Sequence, residues 1–167
     1  MSTGRVLMAN KAGAYVIKLT GDVRMTLCTT LDNCLKKMVE DPVFTSVIVD
    51  LTEAEGIDST SLGMLAKVSR LATPAMGHVP TLISSRPDIT RIIETMGFRD
   101  RVFVIVPHSN VDEEPDASLN EETPQPVDEM SARDRVLEAH KILMSLNEQN
   151  RQTFHELVEC LENQPTH

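Results

Sequence analysis

The chain has 167 residues, 41% of them hydrophobic, which suits one core-bearing domain with appendages. Only 3% are aromatic, none is tryptophan and the net charge is -9, so neither a base-stacking platform nor a phosphate-binding surface for nucleic acid is expected. Residues 1–10 lack the apolar run of a signal peptide, and no stretch approaches the roughly 18 apolar residues of a membrane span, so a cytoplasmic protein without a membrane partner is expected.

Arg5 to Asn10 reads as a short strand and Lys11-Ala12-Gly13 as its turn. Ala14 to Thr20 alternates apolar and polar residues and completes a hairpin, which Gly21-Asp22 should break. Leu27, Leu31, Cys34, Leu35 and Met38 recur at helical spacing from about Met25 to Glu40, with Asp41-Pro42 as the stop. The uninterrupted run Val47-Ile48-Val49 with Leu51 predicts a strand buried on both faces. A second helix follows Ile57-Asp58-Ser59-Thr60-Ser61, with Leu62, Leu65, Ala66, Ser69 and Ala72 inward and Pro74 and Gly77 at its end. Thr81 to Ile83 is a third buried strand. Pro87 suits the first turn of a third helix, whose buried face is Ile89, Ile92, Ile93 and Met96 and whose terminator is Gly97. Val102 to Val106 is the last strand, so residues 1–106 form an α/β domain of order β-β-α-β-α-β-α-β.

The charge is unevenly placed. Residues 1–106 carry 12 Lys/Arg against 11 Asp/Glu, whereas residues 107–130 hold 8 acids, no base and four prolines. That segment cannot bury enough apolar surface to offset its chain entropy and reads as a disordered or extended linker. Residues 131–167 predict two helices: Val136, Leu137, His140, Leu143 and Met144 share one face of the first, and Phe154, Leu157, Val158 and Leu161 one face of the second. Between them Ser145 and Glu148 have capping-box spacing. A helical hairpin is preferred to one long helix, and its apolar stripe needs a partner.

Cys28, Cys34 and Cys160 are odd in number and lack CxxC spacing, so they read as reduced thiols; Cys28 and Cys34, six apart, point to different helix faces. No histidine lies within four residues of another or of a cysteine, so no metal site is expected, nor any cofactor.

The informative stretch is Asp58 to Gly63, where three hydroxyls sit at a helix start. Asp58 or Ser59 as N-cap, with Thr60 and Ser61 as first-turn filler, accounts for most of it. Gly63 is not so explained: it lies inside the helix, costs roughly 1 kcal/mol against alanine and has no capping role. Close approach of a backbone or a partner would account for it.

The buried strand ending Val49-Asp50-Leu51, followed by Ile57-Asp58-Ser59-Thr60-Ser61-Leu62-Gly63, resembles the STAS-domain family of anti-sigma factor antagonists. The family pattern is Asp-Ser-Ser/Thr-Gly-Leu-Gly; Asp58, Ser59, Leu62 and Gly63 match position for position, and Ser61 replaces the common glycine. The resemblance spans residues 5–106 and implies a STAS-like mixed β-sheet with covering helices, here followed by the linker and the hairpin. It implies phosphorylation at Ser59 (alternatives Thr60 and Ser61) by an anti-sigma factor with serine kinase activity, removal by a PP2C-type phosphatase, and partner binding through Asp58, Ser59, Thr60, Ser61, Leu62 and Gly63 in the unphosphorylated state. The tail around Leu137 to Met144, with Leu146-Asn147 and Asn150-Arg151, resembles antagonists that accompany RssB-type response regulators carrying a phosphatase domain.

Three other readings compete. A serine hydrolase needs a base near Ser59, but Gly-x-Ser-x-Gly is absent and no histidine is close in sequence, the nearest being His78; no catalytic residue is assigned. Anion binding at the helix start is opposed by Glu53, Glu55 and Asp58 and by the lack of a P-loop lysine. The main alternative is a constitutive STAS subunit or scaffold of a transport or regulatory complex, without a phospho-switch. The five histidines, the methionines and the cysteines are expected to be core or surface residues without a special role.

Overall fold

The computed structural model describes residues 2–108 and 119–164. Strand β1 (Arg5–Lys11) turns into β2 (Ala14–Val23) through Ala12 and Gly13, both at positive φ, the twist a two-residue hairpin favours. A 3-10 turn (Met25–Leu27) leads into α1 (Cys28–Glu40), then β3 (Ser46–Asp50), β4 (Ala54–Ile57) and α2 (Ser59–Met76). The chain continues through β5 (Thr81–Ile83), α3 (Pro87–Thr95), β6 (Val104–Val106) and β7 (Asn120–Glu121), and closes with α4 (Glu129–Leu146) and α5 (Glu148–Glu162). Among the described residues the strands form one mixed sheet of order β6-β5-β3-β2-β1-β7, with β4 on the far end of β2. β2, β3, β5 and β6 run parallel, while β1 and β7 are antiparallel to their neighbours.

The period-2 pattern puts Tyr15, Ile17 and Leu19 of β2 and Val47 and Val49 of β3 into the core with Leu31, Leu35, Leu62, Leu65 and Ile93 of the helices. The opposite face is only partly covered: Val16, Ile48 and Thr81, aligned across three strands, are half-buried. The expectation that β3 is buried on both faces therefore fails at Ile48. Gly21 does not end β2. It adopts φ +71°, and a Cβ there would lie 2.5 Å from the Thr3 carbonyl oxygen, so both conformation and space require glycine. The register shifts at Gly21/Asp22, and the strand runs on to pair with β4, an element with no signal in the sequence. Pro74 lies inside α2, which ends only at Gly77 with φ +82°.

The tail forms two helices. Ser145 does not cap the second, because α4 continues through Leu146; its hydroxyl donates to the Ile142 carbonyl instead. Asn147 is the extended residue between the helices, and its side chain accepts the Asn150 N–H at 2.8 Å. Ala139, Ile142, Leu143 and Phe154 join the same apolar cluster as the sheet and α2, so the body itself is the partner of the hairpin stripe. The described end of the acidic segment lies extended along the sheet edge and α1. Glu122 N–H donates to the Val6 carbonyl, Lys37 pairs with the Glu122 carboxylate, and Gln125 N–H donates to Thr30 Oγ1. Residues 109–118 of the expected linker lie outside the described residues.

Candidate functional site

The site is the first turn of α2. Asp58 is its N-cap: Oδ1 accepts Ser61 N–H at 2.8 Å, while Oδ2 accepts Met25 N–H at 2.9 Å. One carboxylate thus closes two orphan backbone donors and ties the start of α2 to the turn before α1. Its oxygens face inward, so Asp58 builds the loop. Ser59 is the first helical residue and does not cap.

The three hydroxyls differ in access. Thr60 is 5% and Ser61 1% exposed, whereas Ser59 is half-buried. Ser61 Oγ donates to the Val23 carbonyl and lies 4.0 Å from Cys28 Sγ, so the serine standing where the family has glycine is absorbed into the packing between α2 and α1. Burial pushes the Cys28 thiol up to about 12. Burial also pushes Cys34 up to about 12, beside Glu122 on another side of α1. Glu53 and Glu55 do not crowd Ser59: Glu53 pairs with Lys18 and Glu55 accepts from Ser2, and both line a hollow that Ser59 does not enter.

What covers Ser59 is α4. Ser59 Oγ lies 2.8 Å from His140 Nε2, across 81 residues of sequence. His140 Nδ1 is 2.7 Å from the Val136 carbonyl, which can only accept, so Nδ1 carries a proton and Nε2 is left to share a hydrogen bond with the Ser59 hydroxyl. The imidazole is 2% exposed and meets Phe154 of α5 edge-on at 4.9 Å. His140 is a core residue, as expected of a histidine on an apolar stripe, but its hydrogen bond to Ser59 was not foreseen. Its place on the apolar stripe of α4 was the available signal. One turn along α2, a Cβ on Gly63 would fall 2.3 Å from the Ala139 carbonyl oxygen and 2.6 Å from its Cα. The close approach that Gly63 requires is made by the protein's own tail.

A charge cluster around buried Asp32 fastens the same contact. Asp32 of α1, 6% exposed, accepts from Lys67 of α2 at 2.8 Å and from Arg135 of α4 at 3.2 Å. Glu138 of α4 accepts from Lys67 and from Arg135, each at 2.9 Å. Lys36 of α1 adds a third, looser cation 3.7 Å from Asp32. For Lys67, burial alone would lower the ammonium pKa, but the Asp32 and Glu138 hydrogen bonds outweigh it and the net direction is upward. At the other end of the hairpin, Asn150 Nδ2 donates to the Met96 and Leu143 carbonyls at 2.9 and 3.0 Å.

Of the residues expected to bind a partner, Thr60, Ser61, Leu62 and Gly63 are buried and only Asp58 and Ser59 are partly accessible. The Ser59–His140 pair has the spacing of a nucleophile and base, but His140 is buried, at 2% exposure. No group of three or more potential metal-ligating side chains occurs among the described residues. No described helix is long and apolar enough to cross a membrane.

Comparison with known proteins agrees with this architecture. The STAS domain family model matches residues 5–113, ending before α4. An anti-sigma factor antagonist from Mycobacterium paratuberculosis is 21% identical, with 64% of this chain and 87% of that one covered and a TM-score of 0.55. The anti-sigma factor antagonist SpoIIAA in its unphosphorylated form is 14% identical, over 62% of this chain and 87% of that one, with a TM-score of 0.50. At these identities the likeness is one of fold. The search of curated proteins returned no significant match.

Proposed function

The chain belongs to the STAS domain family, and from that premise we propose that it is an anti-sigma factor antagonist, a binding module rather than an enzyme, switched by phosphorylation of Ser59. The observation that carries this reading is the difference among the three hydroxyls: Ser59 is half-buried, whereas Thr60 and Ser61 are sealed into the helix packing. A kinase reaches Thr60 or Ser61 only by unwinding the first turn of α2. The description of both solved relatives as anti-sigma factor antagonists supports the same role.

In the unphosphorylated state the surface around Ser59 is small and uncharged and docks on an anti-sigma factor with serine kinase activity. Phosphorylation adds about -1.5 to -2 charges at pH 7. Glu53 is paired with Lys18 and Glu55 is bonded to Ser2, so Asp58, adjacent in the chain, is the local acid whose charge a phosphate on Ser59 would meet. A second cost falls on the interface, where a dianion would have to be stripped of water without a partner. A PP2C-type phosphatase, carried by an RssB-like response regulator, restores the binding form.

Incubation with ATP and the anti-sigma factor kinase of its own cells tests this. Wild type should take up one phosphate and Ser59→Ala none; the variant keeps the Asp58 cap and so the fold. Labelling that persists in Ser59→Ala moves the switch to Thr60 or Ser61. No labelling of wild type, with partner binding unchanged in Ser59→Asp, leaves a constitutive STAS subunit as the reading.

A further inference from the structure

The face assigned to a partner is already occupied. We propose that the α4–α5 hairpin is a built-in occupant of the Ser59 surface, which must leave before another protein can use that hydroxyl. This gating rests on the reading of Ser59 as the switch, but the masking itself does not.

Three features of the contact favour a helix docked on this surface over one fused to it. First, the fit is specific to the switch: His140 takes the Ser59 hydroxyl, and Ala139 lies against Gly63, the residues of the motif a partner would address. Second, much of the contact is polar. The Ser59 hydroxyl, the His140 ring and the Lys67, Asp32, Arg135 and Glu138 cluster can all be hydrated when the helix lifts, so the cost of opening is confined to the apolar burial of Ala139, Ile142, Leu143 and Phe154. Third, the segment before α4 is independently moored. β7 pairs with β1, and Gln125 N–H is held by Thr30 Oγ1. A lifted hairpin therefore stays tethered close to the surface it left, at high effective concentration.

The consequence is competition. A partner binds only the open fraction, so its apparent affinity falls by that fraction; an open population of about one in ten weakens binding about tenfold. The same factor slows phosphorylation, since a kinase needs the Ser59 hydroxyl free of His140. The surface that accepts α4 is thus suited to a partner that presents a helix with a small residue opposite Gly63.

The test uses the full chain with Ser59→Cys as a reporter. Labelling of residue 59 by N-ethylmaleimide is followed by peptide mass spectrometry, with circular dichroism to show that each variant is folded. Two tail variants open the contact by different means. Glu138→Lys sets a cation against Lys67 and Arg135, and Ala139→Leu adds side-chain bulk at a fully buried position of the contact. Each should speed labelling at least tenfold over the reporter with the natural tail. Separation of the thiol from His140 removes an activating neighbour, so a faster reaction reports exposure. Equal rates in all three proteins, whether fast or slow, overturn the masking. In the unmutated Ser59 background, Glu138→Lys should also accelerate phosphorylation in extract of the protein's own cells with ATP. Faster labelling without faster phosphorylation overturns the gating. Absence of phosphate at Ser59 in every variant counts instead against the proposed switch, and the labelling result stands.

Discussion

The core of the β/α body and the contact between that body and the hairpin are held in different ways. In the body, Ile17, Leu19, Val47, Val49, Leu65 and Leu82 are fully buried, and their contribution is apolar area removed from water. The hairpin contact mixes apolar residues such as Leu143 and Phe154 with buried polar ones: His140 at 2% and Asn150 at 3% exposure, and the Asp32 charge cluster. Apolar burial is non-directional and tolerates small shifts. Hydrogen-bonded and charged contacts fix one geometry and contribute less net stability, because water offers the same bonds to the open state. The first kind of packing suits a permanent fold, the second a docked element with a defined seat.

The largest expected effect separates the two regions. Leu82→Ala in the sheet should cost about 2–5 kcal/mol and lower the global melting transition. Phe154→Ala should cost about 3 kcal/mol or somewhat more, but hydrogen exchange should show the loss in α4 and α5 before the strands. Equal loss of protection throughout would mean that hairpin and body are one cooperative unit.

Asp58 sharpens the comparison, since it belongs to the body yet supports the switch loop. Asp58→Ala frees the Ser61 and Met25 N–H groups together, and about 2 kcal/mol of global stability should go with them, measured by denaturant titration. A loss no greater than that of Ser59→Ala would show that the two bonds are not what orders the loop.

Within the hairpin, Asn147→Ala should destabilise the start of α5 by about 1 kcal/mol, while Ser145→Ala should leave that helix start unchanged. The reverse result would restore Ser145 as the cap.

The smallest effect is at the exposed N-cap of α4. The Ser131 N–H bonded to Asp128 holds its carboxyl below the ordinary carboxylate value. A lowered folded pKa adds stability above the unfolded value and loses it as pH falls through the folded one. Acidification below about pH 4 should therefore lower the amide protection factors, corrected for the intrinsic rate, in the first turn of α4. In Asp128→Asn that step should be absent.

How much of this was legible depended on distance along the chain. Helix and strand periodicity, the αL glycines at 77 and 97, and the hairpin turn at Ala12-Gly13 are local, and the pattern of β2, α1, α2 and α3 follows from them. So does the motif: Asp58 before three hydroxyls marks a capped helix start, and Gly63 inside the helix signals that something comes close. The sequence alone also determined that the tail is two amphipathic helices in need of a partner. It did not determine that the partner is the switch face itself. β4, the strap across β1 and the Ser59–His140 contact all depend on pairings between segments far apart, and short polar stretches such as Ala54 to Ile57 carry no periodicity to announce them. Only the tertiary structure decided that Ala139 fills the space over Gly63, because backbone approach is a property of two elements together and residue type in either one cannot specify it.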